Sequence, residues 1–200
     1  MKLQASFFAR ETVSVARALL GKRLVRMLDG QRLAGIITET EAYVGEQDTA
    51  CHASRGCTPR TRVMYGPPGH YYVYLIYGMH HMLNIVTAAE GEPEAVLIRA
   101  LHPEEGVARM GELRGGAASR NLANGPGKLC QALAIDRTLN GLSVESDALW
   151  LEAGAPVAEG QILTSPRIGI GYASEADQRR HWRFHLPPDF QPDYSRSTGR

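Results

Sequence analysis

Two carboxylates and a phenol crowd the end of one predicted strand. Glu39, Glu41 and Tyr43 alternate along the run Ile36–Tyr43, and because side chains in a strand alternate between faces, all three should lie on one face. Acids on an otherwise apolar strand are costly unless they are solvated or used. The pattern is typical either of two surface acids or of a general base, since an ionised glutamate only accepts hydrogen bonds and can orient a water molecule.

A concentration of tyrosines follows. Tyr71, Tyr72, Tyr74 and Tyr77 lie close together in the chain; Tyr72 and Tyr74 are predicted to share a face, and Gly78 indicates a turn at Tyr77. Such rings are either core residues with one exposed phenol or a stacking platform with one ring that projects as a wedge. A carboxylate beside flat aromatic faces suits a planar ring that water attacks, such as a nucleobase taken out of a duplex.

Arg99 is a polar interruption in the apolar run Ala95–Leu101. An arginine in such a strand is rarely buried without a partner. Glu41 is the predicted partner, because an arginine–carboxylate pair would fix the rotamer of the glutamate. The alternative is a charge on an edge strand.

Histidines and cysteines between residues 51 and 81 suggest a zinc site, but their spacing matches no closed tetrahedral pattern. We therefore predict no metal. A histidine here could instead donate a hydrogen bond to a ligand ring. The residues concerned are Cys51, His52, Cys57, His70, His80 and His81.

The elements that must position these residues mix helices and strands. An apolar period near 3.6 predicts a helix over Thr12–Leu20, and Asp29-Gly30 predicts a hairpin. Residues 44–69 are predicted to form a long functional loop. Because the strands are joined by hairpins, we predict an α/β fold of the α+β type, with a mainly antiparallel, curved sheet flanked by helices. Further strands are predicted over Arg23–Leu28, Leu33–Glu41, Tyr71–Tyr77, Met82–Thr87, Ala95–Leu101, Ala148–Glu152, Arg167–Gly171 and Trp182–Leu186, and helices over Pro103–Leu113 and Lys128–Ala134.

Length and composition favour one domain over residues 1–200, with a tail from Pro187 that is predicted to fray. The formal net charge of +1 does not by itself indicate a nucleic-acid partner, although arginines cluster near residues 55–62 and 179–183. Three cysteines are typical of reduced thiols. No apolar run is long enough to span a bilayer, and the N-terminus lacks a secretory signal. We expect a monomeric cytoplasmic protein with no membrane partner.

Several motifs, taken together and in order, resemble the alkyladenine (3-methyladenine) DNA glycosylase family. The likeness extends from about Phe7 to about Leu186, and no single motif would carry it alone. The motifs are Glu39–Tyr43, Tyr72–Met79 with Asn84, Val96–Ala100, Gly125–Ala132 and Arg167–Gly171.

The resemblance implies a single α/β domain that needs no metal or organic cofactor. It implies hydrolysis of the N-glycosidic bond of a damaged purine without strand cleavage, with water as the nucleophile. Glu41 corresponds to the base that activates this water, and Arg99 and the backbone of Ile168 would help to position it.

The remaining roles implied by the resemblance concern the extruded base and the DNA. Tyr43 and Tyr74 would sandwich the base, His52 would contact its edge, and Asn84 would crowd the exocyclic amine of guanine. The residues implied at the DNA are Tyr77, as the wedge that fills the gap in the duplex, and Thr58, Arg60 and Met79 near the backbone.

The implied partner is double-stranded DNA that contains damaged purines, such as 3-methyladenine and also hypoxanthine and ethenoadenine. Two alternatives are kept. A non-catalytic nucleic-acid-binding module would use the aromatic and basic residues but not Glu41 beside Arg99. A zinc-dependent hydrolase would be built on the histidines and cysteines.

Overall fold

The computed structural model describes residues 1–194. In that range one sheet of eight strands, all paired antiparallel, is accompanied by four short α-helices. The prediction of an α+β fold with a mainly antiparallel sheet is therefore confirmed, and it forms a single compact domain. The strands are β1 (Arg23–Leu28), β2 (Gln31–Tyr43), β3 (Tyr71–Ile76), β4 (His80–Thr87), β5 (Glu94–Glu105), β6 (Leu149–Glu152), β7 (Leu163–Ser165) and β8 (Arg183–His185), and the helices are α1 (Thr12–Ala18), α2 (Val107–Leu113), α3 (Pro126–Ala132) and α4 (Glu175–Gln178).

Strand β2 occupies the middle of the sheet. It pairs with β5 along one edge; along the other it pairs first with β1 and then with β8. The strand order is β3-β4-β5-β2-β1-β6, with β8 beside β2 and β7 beside β8. The predicted hairpin between β1 and β2 is confirmed, because Asp29 and Gly30 turn the chain with φ of 49° and 75°, as a type I′ turn requires.

The pairing of β2 with β5 is interrupted close to Glu39. Ala100 pairs with Glu39 and Ile98 pairs with Thr40, which leaves Arg99 as an extra residue on β5. An extra residue of this kind bends a strand and redirects a side chain. It lets the Arg99 side chain reach the carboxylates of β2.

The buried side chains of the described residues form a main core, a smaller cluster under the long loop and two minor groups. Helices α1 and α3 pack on β2, β4 and β5 and cover the main core, which includes Phe8, Val15, Leu19, Leu24, Ile37, Leu83, Ile85, Ile98 and Leu129. A smaller cluster joins the loop of residues 44–69 to the strands and contains Cys51, Ala53, Met64, Tyr72, Val86 and Ala95. This second cluster anchors a long loop that would otherwise be free to move.

The helix predicted over Pro103–Leu113 is wrong in its first part. Residues up to Glu105 continue β5, and α2 begins at Val107. Gly106 separates the two elements with φ 70°, and a Cβ atom there would lie 2.8 Å from the Arg32 carbonyl oxygen of β2, so glycine is strongly favoured. Proline was a misleading signal, because it is also tolerated where strand pairing is irregular, and the β2–β5 register shifts at that point.

The strand predicted over Arg167–Gly171 is also wrong. The backbone there is irregular and Gly169 has φ 79°. The apolar alternation misled because Arg167 is buried in an ion pair, and the N–H of Ile168 donates to a side chain rather than to a neighbouring strand. Strand β7, whose side chains are largely exposed, has no apolar pattern and was not predicted.

The predicted loop of residues 44–69 is irregular apart from two short 3-10 helices, His52–Arg55 and Arg62–Tyr65. Of the predicted tail, residues 187–194 form no helix or strand, and the Tyr194 hydroxyl contacts Glu104. Residues 195–200 of that tail lie outside the described residues. Among residues 1–194 there is no helix with the length and apolar character needed to cross a membrane.

Candidate active site

Glu41 lies near the end of β2 with its side chain fully buried. Its Oε1 accepts the backbone N–H of Ile168 at 2.7 Å. Its Oε2 accepts the Tyr43 hydroxyl at 2.8 Å and lies 3.2 Å from Arg99 Nη1. Donors to both oxygens fix the orientation of the carboxylate.

Arg99 joins the two glutamates of β2. Its Nε donates to Glu39 at 2.7 Å while its Nη1 reaches Glu41, so the predicted pairing of Arg99 with Glu41 is confirmed. Glu39 also accepts from Arg183 of β8 at 2.9 Å. Two guanidinium groups therefore compensate two carboxylates, which charges withdrawn from water require.

Opposing effects act on the acidity of Glu41. Burial raises the pKa of this carboxyl above its ordinary value, while Arg99, the Ile168 N–H and the Tyr43 hydroxyl oppose the rise. The outcome is a carboxylate that is a stronger base than a solvated glutamate, with a fixed direction in which it accepts a proton.

A small aromatic pocket adjoins Glu41 through Tyr43, which contacts the carboxylate and lines the pocket. Pockets of this kind, with aromatic walls and a few fixed polar groups, are typical of sites for planar ligands. All four residues that the family resemblance implies at the base, Tyr43, His52, Tyr74 and Asn84, are brought together here. The complete lining is Tyr43, Ala50, His52, Met64, Tyr72, Tyr74, Asn84 and Tyr172.

Strands β3 and β4 supply one wall of the pocket. Tyr72 and Tyr74 project from the same face of β3, as predicted, with ring centroids 5.1 Å apart. Asn84 of β4 pairs with Tyr72, and its Nδ2 donates to the Tyr72 carbonyl at 3.1 Å. That hydrogen bond holds the buried amide of Asn84 in one place within the lining.

His52 enters the pocket from the loop. Its Nδ1 lies 3.0 Å from the Tyr72 hydroxyl, and its ring packs edge-on against Tyr74 with centroids 4.5 Å apart. Burial, with Arg60 and Arg55 nearby, lowers the pKa of His52 to about 4. The ring is therefore neutral near pH 7 and offers one donor and one acceptor nitrogen.

A buried ion pair that the sequence analysis misses lies behind Tyr43. The Arg167 guanidinium donates to both oxygens of Asp48, with 2.8 Å from Nη2 to Oδ1, and also to the Ala42 carbonyl at 2.9 Å. Its central carbon lies 4.8 Å from the centroid of the Tyr43 ring. The Arg167 guanidinium of this pair therefore packs against the Tyr43 ring. The pair also fixes the segment whose Ile168 N–H donates to Glu41.

A sequence signal for this pair exists. Arg167 directly precedes the apolar segment Ile-Gly-Ile. An arginine beside apolar residues is rarely buried without a carboxylate partner, as was argued for Arg99, so an acidic partner could have been predicted here as well. Tyr172 is an aromatic residue of the pocket lining that was also missed; its hydroxyl donates to the Ala50 carbonyl at 2.8 Å. No periodic pattern points to it, because it lies in irregular chain.

The turn between β3 and β4 carries two exposed large side chains. Tyr77 is 87% exposed and Met79 is 69% exposed. Tyr77 and Gly78 have φ of 50° and 68°, so the predicted turn at Tyr77 is confirmed and resembles type I′. The tip presents an aromatic ring and a thioether to solvent, beyond the part of β3 that lines the pocket.

Thr58 and Arg60 lie in the loop, outside the pocket lining. The Thr58 N–H donates to Thr61 Oγ1 at 2.8 Å, which makes Thr58 part of a tight turn. The central carbon of Arg60 lies 5.0 Å from the Tyr74 ring centroid. Exposed arginines that form no ion pair with any residue in the range 1–194 suit contacts to phosphate; in this loop they are Arg55, Arg60 and Arg62.

The positions of the histidines and cysteines can be compared with what a metal site requires. Across the part of the chain that is described, no three histidine, cysteine, aspartate or glutamate side chains lie close enough together to hold a metal ion. Cys51 and Cys130 are buried free thiols, and Cys57 is an exposed one. The histidines and cysteines singled out in the sequence thus do not form a cluster.

Comparison with known proteins finds relatives over nearly the whole chain. The sequence profile of the methylpurine-DNA glycosylase family matches residues 6–189. A protein of Methanocella arvoryzae is 54% identical over 185 residues, covering 92% of this chain and 91% of its own. Proteins of Chlorobaculum parvum (50% over 180 residues, 90% and 86% covered) and Carboxydothermus hydrogenoformans (49% over 187 residues, 93% and 95% covered) are similar. All three carry the name "Putative 3-methyladenine DNA glycosylase".

The family match spans nearly the whole chain and the relatives are covered over most of their length. The chain therefore belongs to the methylpurine-DNA glycosylase family, and it is a DNA glycosylase rather than a non-catalytic nucleic-acid-binding module.

Proposed function

We propose that this glycosylase flips a damaged purine out of duplex DNA and hydrolyses its N-glycosidic bond with a water molecule activated by Glu41. The observation that carries the proposal is a buried carboxylate, held by two hydrogen-bond donors and an ion pair with Arg99, next to an aromatic pocket. The substrates are alkylated purines such as 3-methyladenine, with hypoxanthine and ethenoadenine as neutral candidates. We expect the enzyme to act as a monomer in the cytoplasm.

The hydrogen bonds of Glu41 support a role as general base. An ionised carboxylate has about four acceptor sites. Among the described residues, the Tyr43 hydroxyl occupies one site on Oε2, beside which Arg99 forms an ion pair at 3.2 Å, and the Ile168 N–H occupies one site on Oε1. The remaining site on Oε1 is suited to take a proton from water as its oxygen attacks C1′ of the sugar, while the purine leaves with the bonding electrons.

The pocket supports recognition of the flipped base. Tyr43 and Tyr74 would stack on its two faces, and stacking contributes about 1–3 kcal/mol per base. A neutral His52 would hydrogen-bond to its edge without adding charge beside a cationic lesion. The fixed Asn84 amide would crowd the exocyclic amine of a normal guanine.

The exposed residues support contact with the duplex. Tyr77 at the hairpin tip would enter the gap left by the flipped base, with Met79 beside it. Thr58 and Arg60 would lie near the DNA backbone. Flipping costs a few kcal/mol, and the cost is lowest for damaged or mismatched bases, which itself favours lesions.

The experiment that tests this proposal measures single-turnover base release, followed by alkali cleavage, from duplexes that carry hypoxanthine, ethenoadenine or methylated purines. We expect Glu41→Gln to slow release at least 100-fold, since general bases contribute about 10²–10⁴-fold. The matched control is Glu90→Gln, which removes an exposed carboxylate and should release base at the wild-type rate. Equal rates for wild type and Glu41→Gln would remove the catalytic assignment.

The same assay addresses the zinc alternative. Release that persists in the presence of a chelator supports a reaction carried by Glu41. Stoichiometric zinc in the purified protein, together with loss of release upon chelation, would favour a zinc-dependent hydrolase.

A further inference from the structure

The two rings that are proposed to sandwich the base each have an arginine against them. Arg167 lies 4.8 Å from the Tyr43 centroid, and Arg60 lies 5.0 Å from the Tyr74 centroid. Both tyrosines line the pocket, but neither arginine does. Each of these two aromatic side chains of the pocket therefore has a guanidinium group packed against it.

The two arginines differ in how their charge is compensated. Arg167 is buried and forms a double hydrogen bond with Asp48, so that pair is neutral as a unit. Arg60 is exposed, and no carboxylate among the described residues lies within ion-pair distance of it. Its neighbours include the Tyr72 hydroxyl and the Tyr74 ring. Of the two arginines that lie against the sandwich tyrosines, Arg60 is therefore the one whose charge no carboxylate of the described residues compensates.

The position of Arg60 relative to the pocket follows from the lining residues. Tyr74 lines both the pocket and an adjoining groove, whereas Arg60 lines only the groove, together with Pro59 and Arg137. The Tyr74 ring is therefore shared between the groove that holds Arg60 and the pocket in which a base would stack. A cation held against one face of the ring competes for the π electrons that would attract a second cation on the other face. Direct repulsion acts in the same direction, because the separation is within the Debye length.

The neighbouring His52 responds to the same charge. Burial is the main cause that lowers its pKa to about 4, and Arg60 is the next. A cationic lesion in the pocket would lie in the same positive potential that disfavours a charged imidazole there.

We propose that Arg60 is a specificity-determining residue that acts through Tyr74 to disfavour cationic alkylated purines relative to neutral purine lesions. This inference rests on the proposed function, in which the base stacks on Tyr74. It differs from a contact between Arg60 and a phosphate, because a phosphate contact strengthens binding to every lesion by the same factor.

The test compares a cationic lesion, 7-methylguanine, with a neutral one, ethenoadenine, in duplexes of the same sequence. Single-turnover base release is measured with each Arg60 or Arg62 substitution in the otherwise wild-type enzyme. Equilibrium binding is measured with the same substitutions in the Glu41→Gln background. The Kd values then allow the two lesions to be compared even if one of them is released poorly. Arg60→Met keeps a side chain of similar length that packs well on an aromatic ring, and Arg60→Lys keeps the charge. Arg62→Met is the matched control, since Arg62 is also exposed in this loop but is in neither the pocket nor the groove lining.

We expect Arg60→Met to raise the preference for the cationic lesion roughly fivefold at low salt, and to raise it less at high salt because the charge is then screened. Arg60→Lys should keep the wild-type ratio. Arg62→Met should change both lesions by the same factor. An Arg60→Met ratio equal to that of the wild type at low salt would overturn the proposal, whether or not overall binding weakens.

This result is distinguishable from a failure of the proposed function. If wild-type release does not depend on Glu41, the mechanism fails whatever the ratio in the Arg60 variants. If release depends on Glu41 and the lesion ratio does not change in Arg60→Met, only the role of Arg60 fails.

Discussion

At Glu41, burial and hydrogen bonding act on one carboxylate in opposite directions. Burial raises its pKa, and the positive charge of Arg99 is the main effect that opposes the rise. Arg99 is an extra residue in β5, so this charge is close to Glu41 because of an irregularity in strand pairing. A general base must be ionised to accept a proton, so Arg99 should govern the pH range in which the enzyme works.

An Arg99→Gln variant should release base with an altered pH dependence. Loss of the opposing charge raises the Glu41 pKa further, so a larger fraction is protonated at a given pH and the acidic limb of the rate profile moves to higher pH. The expected displacement is about 1–3 pH units, the usual effect of a close opposite charge. The position of this limb is measured from the rate of single-turnover base release between about pH 5 and pH 9, a range that includes neutral pH.

The control for this prediction is Arg183→Gln. Arg183 pairs with Glu39 at 2.9 Å rather than with Glu41, so its loss should move the limb much less. If the limb in Arg99→Gln coincided with that of the wild type, Arg99 would act on the rate without setting the ionisation of Glu41.

At the scale of elements, the β3–β4 hairpin connects the pocket with the proposed wedge. Its strands carry Tyr72, Tyr74 and Asn84 into the pocket, and its turn exposes Tyr77. The ladder of hydrogen bonds between β3 and β4 makes the two regions parts of one rigid unit. A ring that enters the duplex would therefore do so at a fixed position relative to the base-binding walls.

Tyr77→Ala should weaken binding to a lesion duplex about tenfold or more, but change binding to an already unpaired lesion much less. The reason is that the ring compensates lost stacking only where a base has left a paired duplex. Fluorescence anisotropy with both DNAs measures the two affinities. Tyr77→Phe keeps the ring and should bind like the wild type, and equal losses on both DNAs in Tyr77→Ala would remove the wedge role.

Much of this element structure could be predicted from local signals, and the exceptions have a common cause. The Asp29-Gly30 turn and the shared face of Tyr72 and Tyr74 follow from short-range geometry, and the partner of Arg99 follows from the need of a buried arginine for a carboxylate. The extension of β5 through Pro103 and the irregular course of residues 167–171 depend on residues far along the chain.

In the candidate site, too, contacts between residues close in sequence could be predicted, and contacts between distant residues could not. Glu41 and Tyr43 are two residues apart in a strand, so their contact could be predicted from sequence alone. The pair of Asp48 with Arg167 joins positions 119 residues apart, and no spacing rule relates such positions. The family resemblance identified the segment that contains Arg167, but only the fold gives its partner.

At the scale of the whole molecule, a buried pocket for a base affects stability as well as recognition. His52 is half-buried among tyrosines and close to arginines, and its pKa is lowered to about 4. In the unfolded chain the same histidine titrates near pH 6.5. Between these two values the unfolded state binds a proton that the folded state does not, so the free energy of unfolding must fall as the pH falls.

We therefore expect His52 to remove about 2 kcal/mol from the free energy of unfolding between pH 7 and pH 5, the amount that linkage gives for this pKa difference. His52→Gln has no proton to bind, so its free energy of unfolding should fall by that much less over the same interval, even if lost packing makes it less stable at pH 7. Urea denaturation at both pH values measures the difference, with His181→Gln, which alters an exposed histidine, as the variant expected to keep the wild-type dependence. If the free energy of unfolding fell by the same amount in His52→Gln and in the wild type between pH 7 and pH 5, the fold would not keep the imidazole neutral. Its proposed role as an uncharged contact to the edge of a cationic base would then be wrong.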